Sequence, residues 1–148
     1  MLNRIQRFTK LTLLEQALLL QLSLLAFGLK TALAMLPIPR LTSLLSRAGS
    51  SHWFNRIPLF HSRCTLDQLL RLIDLATTVS HGESRCLPRS LLLFWLLCAR
   101  REPGDLCLGV STSLNKLDGH AWVEQGGIVV GDTRTFTDRY TPFLRFPA

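Results

Sequence analysis

The sequence predicts an α+β domain: a buried helix that opens on a cysteine packs against a small antiparallel sheet, and a helical extension precedes both. Three observations predict it. Apolar residues at helical spacing recur from Leu11 to Ala99, the most apolar stretch among them starts just after Cys86, and beyond Leu106 the pattern changes to short β-prone segments parted by turn residues.

The chain of 148 residues is long enough for one domain whose core needs neither disulfide nor metal. A hydrophobic share of 47% beside a charged share of 18% excludes a disordered chain and fits a globular or membrane-touching one. Lys+Arg 17 against Asp+Glu 10 leaves +7, and the arginines are scattered from Arg4 to Arg145. Such scatter favours acidic peptides or anionic surfaces in general. With no RNP-like aromatic string, zinc-finger spacing or basic helix, nucleic acid is not an expected partner. Cys64, Cys86, Cys98 and Cys107 contain no C-x-x-C pair, and His52, His61 and His81 lack ligand spacing. Neither a metal nor a cofactor is expected.

Taken in order, Leu11 to Met35 reads as one or two helices closed by Pro37-Ile38-Pro39, because proline removes a donor and pushes its predecessor out of the helical region. Arg4, Arg7 and Lys10 precede this stretch, and Ala32-Leu33-Ala34 has the form of a signal-peptidase site. Glu15, Gln16, Gln21 and Lys30 interrupt it, however, and the run between the two charges is about 14 residues, short of the roughly 20 that a bilayer asks for. The better reading is an apolar helix packed on protein or lying at a membrane surface. A short helix is expected over Leu41 to Arg47. The composition then turns to Gly, Ser, His, Trp and Pro, so residues 1–48 are read as a leucine-rich helical extension, 49–64 as a connector and 65–148 as the main domain.

Thr65-Leu66-Asp67-Gln68 has the form of a capping box and starts an amphipathic helix that Gly82 can follow. After the break at His81-Gly82-Glu83-Ser84, a helix begins at Cys86, with Pro88 acceptable only in its first turn and Leu91 to Ala99 apolar on every side. Arg100-Arg101 reads as its solvated C-terminus. Leu106 to Thr112, Gly119 to Glu124 and Ile128 to Asp132 are the expected strands.

The last hairpin can bring chemistry together. If its loop is Gln125-Gly126-Gly127, Glu124 pairs with Ile128 and Trp122 with Val130, and His120 falls opposite Asp132 on one face. A two-residue Gly126-Gly127 turn shifts the register by one and separates them. An imidazole beside a carboxylate is a fixed tautomer of raised basicity, suited to a general base. Cys86 is the candidate nucleophile, since the helix N-terminus stabilises a thiolate and Arg85 and Arg89 add to the local field. Cys98 in mid-helix and Cys107 in a strand are read as structural, Ser84 and Ser90 are weaker nucleophile candidates, and Trp95 reads as core. Trp122 and Arg89 are weak candidates for substrate contact. The order Cys, His, Asp is that of papain-like and transglutaminase-like folds.

Cys86-Leu87-Pro88-Arg89-Ser90-Leu91, Leu108-Gly109-Val110 and His120-Ala121-Trp122-Val123-Glu124 together resemble the lasso peptide biosynthesis B2 proteins, transglutaminase-like cysteine peptidases that remove the leader from a lasso precursor. The resemblance covers about residues 65 to 135. It implies Cys86 as nucleophile, His120 as base and Asp132 as orienting acid, with no metal or cofactor. Some relatives carry a winged-helix leader-recognition domain on the same chain, and the stretch before Thr65 lacks that strand content. The resemblance therefore implies a stand-alone cytoplasmic peptidase that works with the precursor peptide, a separate leader-binding protein and the ATP-using lasso cyclase, with the N-terminal helix free to contact a membrane. Two other classes stay open at this level: a transglutaminase-like acyltransferase using the same triad, and a non-catalytic membrane-surface binding module built on the helix from Leu11.

Overall fold

Thr12 starts the first helix. In a computed structural model of the chain, which describes residues 12–51, 61–81, 85–102, 104–112 and 117–148, the Thr12 hydroxyl accepts from the Glu15 amide, and the Glu15 carboxylate accepts from the Thr12 amide at 2.9 Å. With two otherwise orphaned amides satisfied, helix α1 runs unbroken over Leu13–Met35, one helix rather than two. Leu18, Leu22, Ala26 and Leu29 fall on one side and are buried. By length and composition α1 could cross a membrane. Here it packs one side on the helices of the core, while Leu20 (64%) and Leu24 (65%) stay exposed on the other.

Helix α2, Ile38–Ser50, begins before the expected Leu41. Pro37 ends α1 and also serves as the N-cap of α2, and Pro39 falls in the first turn, where its missing N–H has no partner to lose. Residues 52–60, most of the expected connector, lie outside the described residues. His61–Arg63 form a single 3-10 turn. Arg100 is not the solvated helix end the sequence suggested: its guanidinium donates to the Cys64 carbonyl at 2.9 Å and to the His61 carbonyl at 3.4 Å, tying this turn to the end of α4.

Helix α3, Leu66–His81, starts with the expected capping box: the Thr65 amide donates to Gln68 Oε1 at 2.8 Å and the Gln68 amide to Thr65 Oγ1 at 3.3 Å. Helix α4, Cys86–Ala99, is buried from Ser90 to Ala99. It is apolar all round because α1, α2 and α3 cover it on one side and the sheet on the other. The leucine-rich helices before the connector thus share a single core with the rest of the chain.

The sheet comprises β1 (Asp105–Ser111), β2 (Asp118–Gln125), β3 (Ile128–Val130) and β4 (Thr141–Phe146), in the order β3-β2-β1-β4 with every pairing antiparallel. Leu106, Val123 and Val130 stand in one cross-strand row and join the core beneath α4. His120, Trp122 and Glu124 alternate with this row and turn to the other face. Strand β4 and the short helix α5 before it, Arg134–Thr137, were not expected from the sequence. β4 is an edge strand with Pro142 inside it and an exposed surface along most of its length, so it lacks the half-buried alternation that marks a strand.

The β2–β3 connection is a two-residue turn. Gln125 pairs with Ile128 and Val123 with Val130, and positive φ at Gly126 (54°) and Gly127 (82°) is the geometry of a type I′ turn. The register built on a three-residue loop is therefore off by one.

Removal of the α3 cap tests the helix assignment. Thr65→Ala should lower the free energy of unfolding by about 1 kcal/mol, read as a lower urea midpoint with an unchanged denaturant slope.

Candidate active site

Cys86 is the first residue of α4, and Arg85 before it supplies no side-chain cap. The first-turn amides are therefore free to serve something else, and those of Leu87 and of Ala121 on β2 both approach the Cys86 sulfur. The four thiols differ sharply. Burial pushes Cys64 up, and pushes Cys98 and Cys107 to about 11. Cys86, which is only partly buried, goes the other way: its hydrogen bond with His120 holds it below the ordinary thiol value against its partial burial, and the His120 charge and the two amides add to the effect.

His120 sits on β2 with Nε2 2.7 Å from Asp132 Oδ2. That leaves Nδ1 as the ring nitrogen for the Cys86 thiol. Burial pushes the imidazole down, but hydrogen bonds with Cys86 and Asp132, and their negative charges, outweigh it and hold His120 above the ordinary imidazole range. The His120 and Asp132 side chains are 13% and 19% exposed, so the pair is shielded from bulk water and still reachable.

Asp132 reaches this position by an unexpected route. A regular strand continued past Val130 would put Asp132 on the same face as Val130 and Val123, which is the face turned away from His120. β3 instead stops at Val130, and Gly131 takes φ 74°, a left-handed value that breaks the alternation. The bend swings Asp132 round to His120. The two-residue turn was expected to separate the pair; the displaced register and the Gly131 bend together cancel. Asp132 Oδ1 also accepts from the Thr133 amide at 2.9 Å, which sets the plane of the carboxylate.

Both weak candidates for substrate contact make contacts within the chain. Trp122 is 3% exposed; its ring lies parallel to His120, 6.0 Å between centroids, and Nε1 donates to Glu124 Oε1 at 3.0 Å. Glu124 accepts in turn from Arg145 on β4 at 2.6 Å. The indole is thus a fixed plate beneath the imidazole. Arg89 Nε lies 2.5 Å from Asp74 Oδ1 on α3, and its Nη2 donates to the Gly131 carbonyl. Ser90 is buried and donates to the Ala121 carbonyl at 2.8 Å, fastening α4 to β2 beside His120. Ser84 and His52 lie outside the described residues.

Two aromatic residues escaped the sequence reading. Phe136 on α5 meets the His120 ring edge-on at 4.9 Å and Tyr140, just before β4, lies 5.0 Å from it. The Tyr140 hydroxyl donates to Asp118 at 2.9 Å. Their i, i+4 spacing, from a short helix after the acid into the turn that follows it, was the available signal. An open groove of about 540 Å³ runs beside Asp132 between α3 and the Gly131 bend. Among the described residues no group of three His, Cys, Asp or Glu is placed to hold a metal ion.

The arrangement joins a thiol, an imidazole and a carboxylate in one hydrogen-bonded chain. It follows that iodoacetamide near neutral pH should label Cys86 first, with a midpoint below the ordinary thiol value, while Cys98 and Cys107 should resist until the pH approaches about 11. Gly131→Ala should raise that midpoint. An L side chain rarely adopts φ 74°, and its Cβ would also press on Leu70 Cδ2 at 2.6 Å, so relaxation of the bend is expected to carry Asp132 with it. An unaltered labelling profile in a folded Gly131→Ala protein would show that the bend does not govern the pair.

The transglutaminase-like superfamily profile matches residues 32–145, a span that holds α3, α4 and β1 to β3 entire, together with Cys86, His120 and Asp132. No curated protein and no solved structure matches the chain. The matched family typically comprises cysteine-dependent enzymes of peptidase or acyltransferase type. With a helix that opens on a cysteine packed against an antiparallel sheet that carries the histidine, the chain belongs to the transglutaminase-like superfamily.

Proposed function

We propose that the chain is a cysteine peptidase that removes the leader peptide from a lasso peptide precursor, with Cys86 as nucleophile, His120 as general base and acid, and Asp132 as the acid that orients His120. The observation that carries this reading is one imidazole hydrogen-bonded on one side to Cys86 and on the other to Asp132. The substrate class rests on the motif resemblance. The residues of those motifs are also the ones that support the pair: Ser90 fastens α4 to Ala121, and Trp122 and Glu124 underlie His120.

In the proposed reaction the Cys86 thiolate attacks the carbonyl carbon of the leader–core bond, and the developing oxyanion is met by the Cys86 amide at the uncapped N-terminus of α4. The His120 imidazolium then gives its proton to the core's nitrogen. The C–N bond breaks, the core leaves with a free amine, and the leader remains as a thioester. His120, now neutral, takes a proton from water as that water attacks the thioester, which releases the leader carboxylate and restores the thiolate. Asp132 keeps the imidazole in one orientation and stabilises its charged form throughout. On this reading the enzyme needs no cofactor. It works in the cytoplasm beside a separate leader-binding protein and hands the core to the lasso cyclase.

The test is cleavage of a precursor peptide with the leader-binding protein supplied. Cys86→Ala should release no leader. Asp132→Asn should fold and lose roughly 10²–10⁴-fold in turnover, the range for a mispositioned general base. Leader released by Cys86→Ala would overturn the nucleophile assignment. A product whose mass equals leader plus an added amine, in place of free leader, would make the chain an acyltransferase.

A further inference from the structure

Arg89 stands one turn beyond Cys86 on α4 and points toward neither solvent nor the sulfur, but to the backbone that carries Asp132. Its guanidinium spans two other elements: Nε lies 2.5 Å from Asp74 on α3, and Nη2 reaches the carbonyl of Gly131, the residue whose left-handed φ turns Asp132 to His120. Leu70 of α3 and Leu93 of α4 stand beside Arg89 at the same glycine, so the bend is seated against two helices. The Arg89 side chain is 18% exposed, and Asp74 on the groove wall is 52% exposed.

We propose that Arg89 is a positioning residue: by holding the Gly131 carbonyl, with Asp74 holding Arg89, it fixes the Asp132 carboxylate relative to the helix that carries Cys86. The planar guanidinium is suited to this because its donors point in two fixed directions, which a lysine ammonium cannot reproduce. One helix then delivers both the nucleophile and the tie that aligns the far end of the triad. A change in the seating of α4 then moves Cys86 and Asp132 together, and their separation from each other is kept. This proposal rests on the triad reading above, but its test does not need the peptidase reaction.

Among the described residues, the groups that face Cys86 and His120 are each other, Asp132, and Tyr140 with its partner Asp118. The pH profile of Cys86 alkylation by iodoacetamide therefore reports the state of this set. In Arg89→Gln, alkylation near neutral pH should slow roughly tenfold, equivalent to a midpoint about one pH unit higher. Arg89→Lys should fall between Arg89→Gln and the parent protein, and Asp74→Asn should move the same way by less. Asp132→Asn supplies the reference, and the combination of Arg89→Gln with Asp132→Asn should be no slower than Asp132→Asn alone, because Arg89 acts through that carboxylate. Additive effects in the double variant would overturn the proposal and show that Arg89 acts on the thiolate by its own charge. An unchanged profile in folded Arg89→Gln would overturn it as well, as would a raised KM for precursor with an unchanged alkylation profile, which would make Arg89 a substrate contact. Should Arg89→Gln fail to fold by circular dichroism, the surface variant Asp74→Asn decides alone, and an unchanged profile there refutes the tie. A parent protein that alkylates as expected but cleaves no precursor would remove the proposed function and leave this inference standing.

Discussion

The hydrogen bond from His120 to Asp132 joins a residue in the middle of a strand to one that no regular strand could bring to it. The constraint is geometric. Antiparallel pairing permits only residues on the same face to meet, and the two-residue turn at Gly126-Gly127 sets a register in which Asp132 falls on the wrong side. A single glycine in a left-handed conformation corrects it. The surrounding structure makes that correction hold: Arg89 on the Gly131 carbonyl, the Thr133 amide on the Asp132 carboxylate, and two leucines against the bend. Glycine adopts this conformation without steric cost, and these contacts select it.

Helix α4 meets two opposed demands. Its body is buried on all sides and anchors α1, α2, α3 and the sheet in one core. Its first residue must still face water and carry a reactive group. The helix resolves them lengthwise, with Cys86 half-buried at the open N-terminus and the apolar residues following. Burial thereby divides the thiols into two kinds. Three lie inside and resist ionisation, while the fourth lies where unpaired amides and a histidine favour the thiolate.

On the far face of the sheet a second set of contacts supports the imidazole. Arg145 on β4 bonds Glu124, Glu124 bonds the Trp122 indole, and the indole lies parallel beneath His120. Glu124 is nearly enclosed, and burial alone would raise its pKa; the hydrogen bonds from Trp122 and Arg145 prevail and keep the carboxylate charged. Phe136 and Tyr140 complete the ring of aromatics from the segment between β3 and β4. His120 is thus held on its edges by hydrogen bonds and on its faces by rings.

Local patterns determined a good deal without the fold. The capping box at Thr65, the apolar helix opening on Cys86 and the β-prone segments after Gly104 each follow from spacing within a few residues, so they are legible in the sequence. The identity of the thiol, histidine and acid was legible for the same reason, as residue types in a particular order. Their meeting was not. The three-residue loop assigned to the hairpin was wrong, and the contact it was meant to explain forms anyway, through Gly131 and an arginine 42 positions away in sequence. Strand β4, the end of α4 at Arg100 and the contacts of Trp122 and Arg89 were hidden likewise, because each depends on what stands opposite in space. Hydrophobic period and capping are short-range and written in the chain; register, face and side-chain partner are relations between distant segments, and only the packed structure decides them.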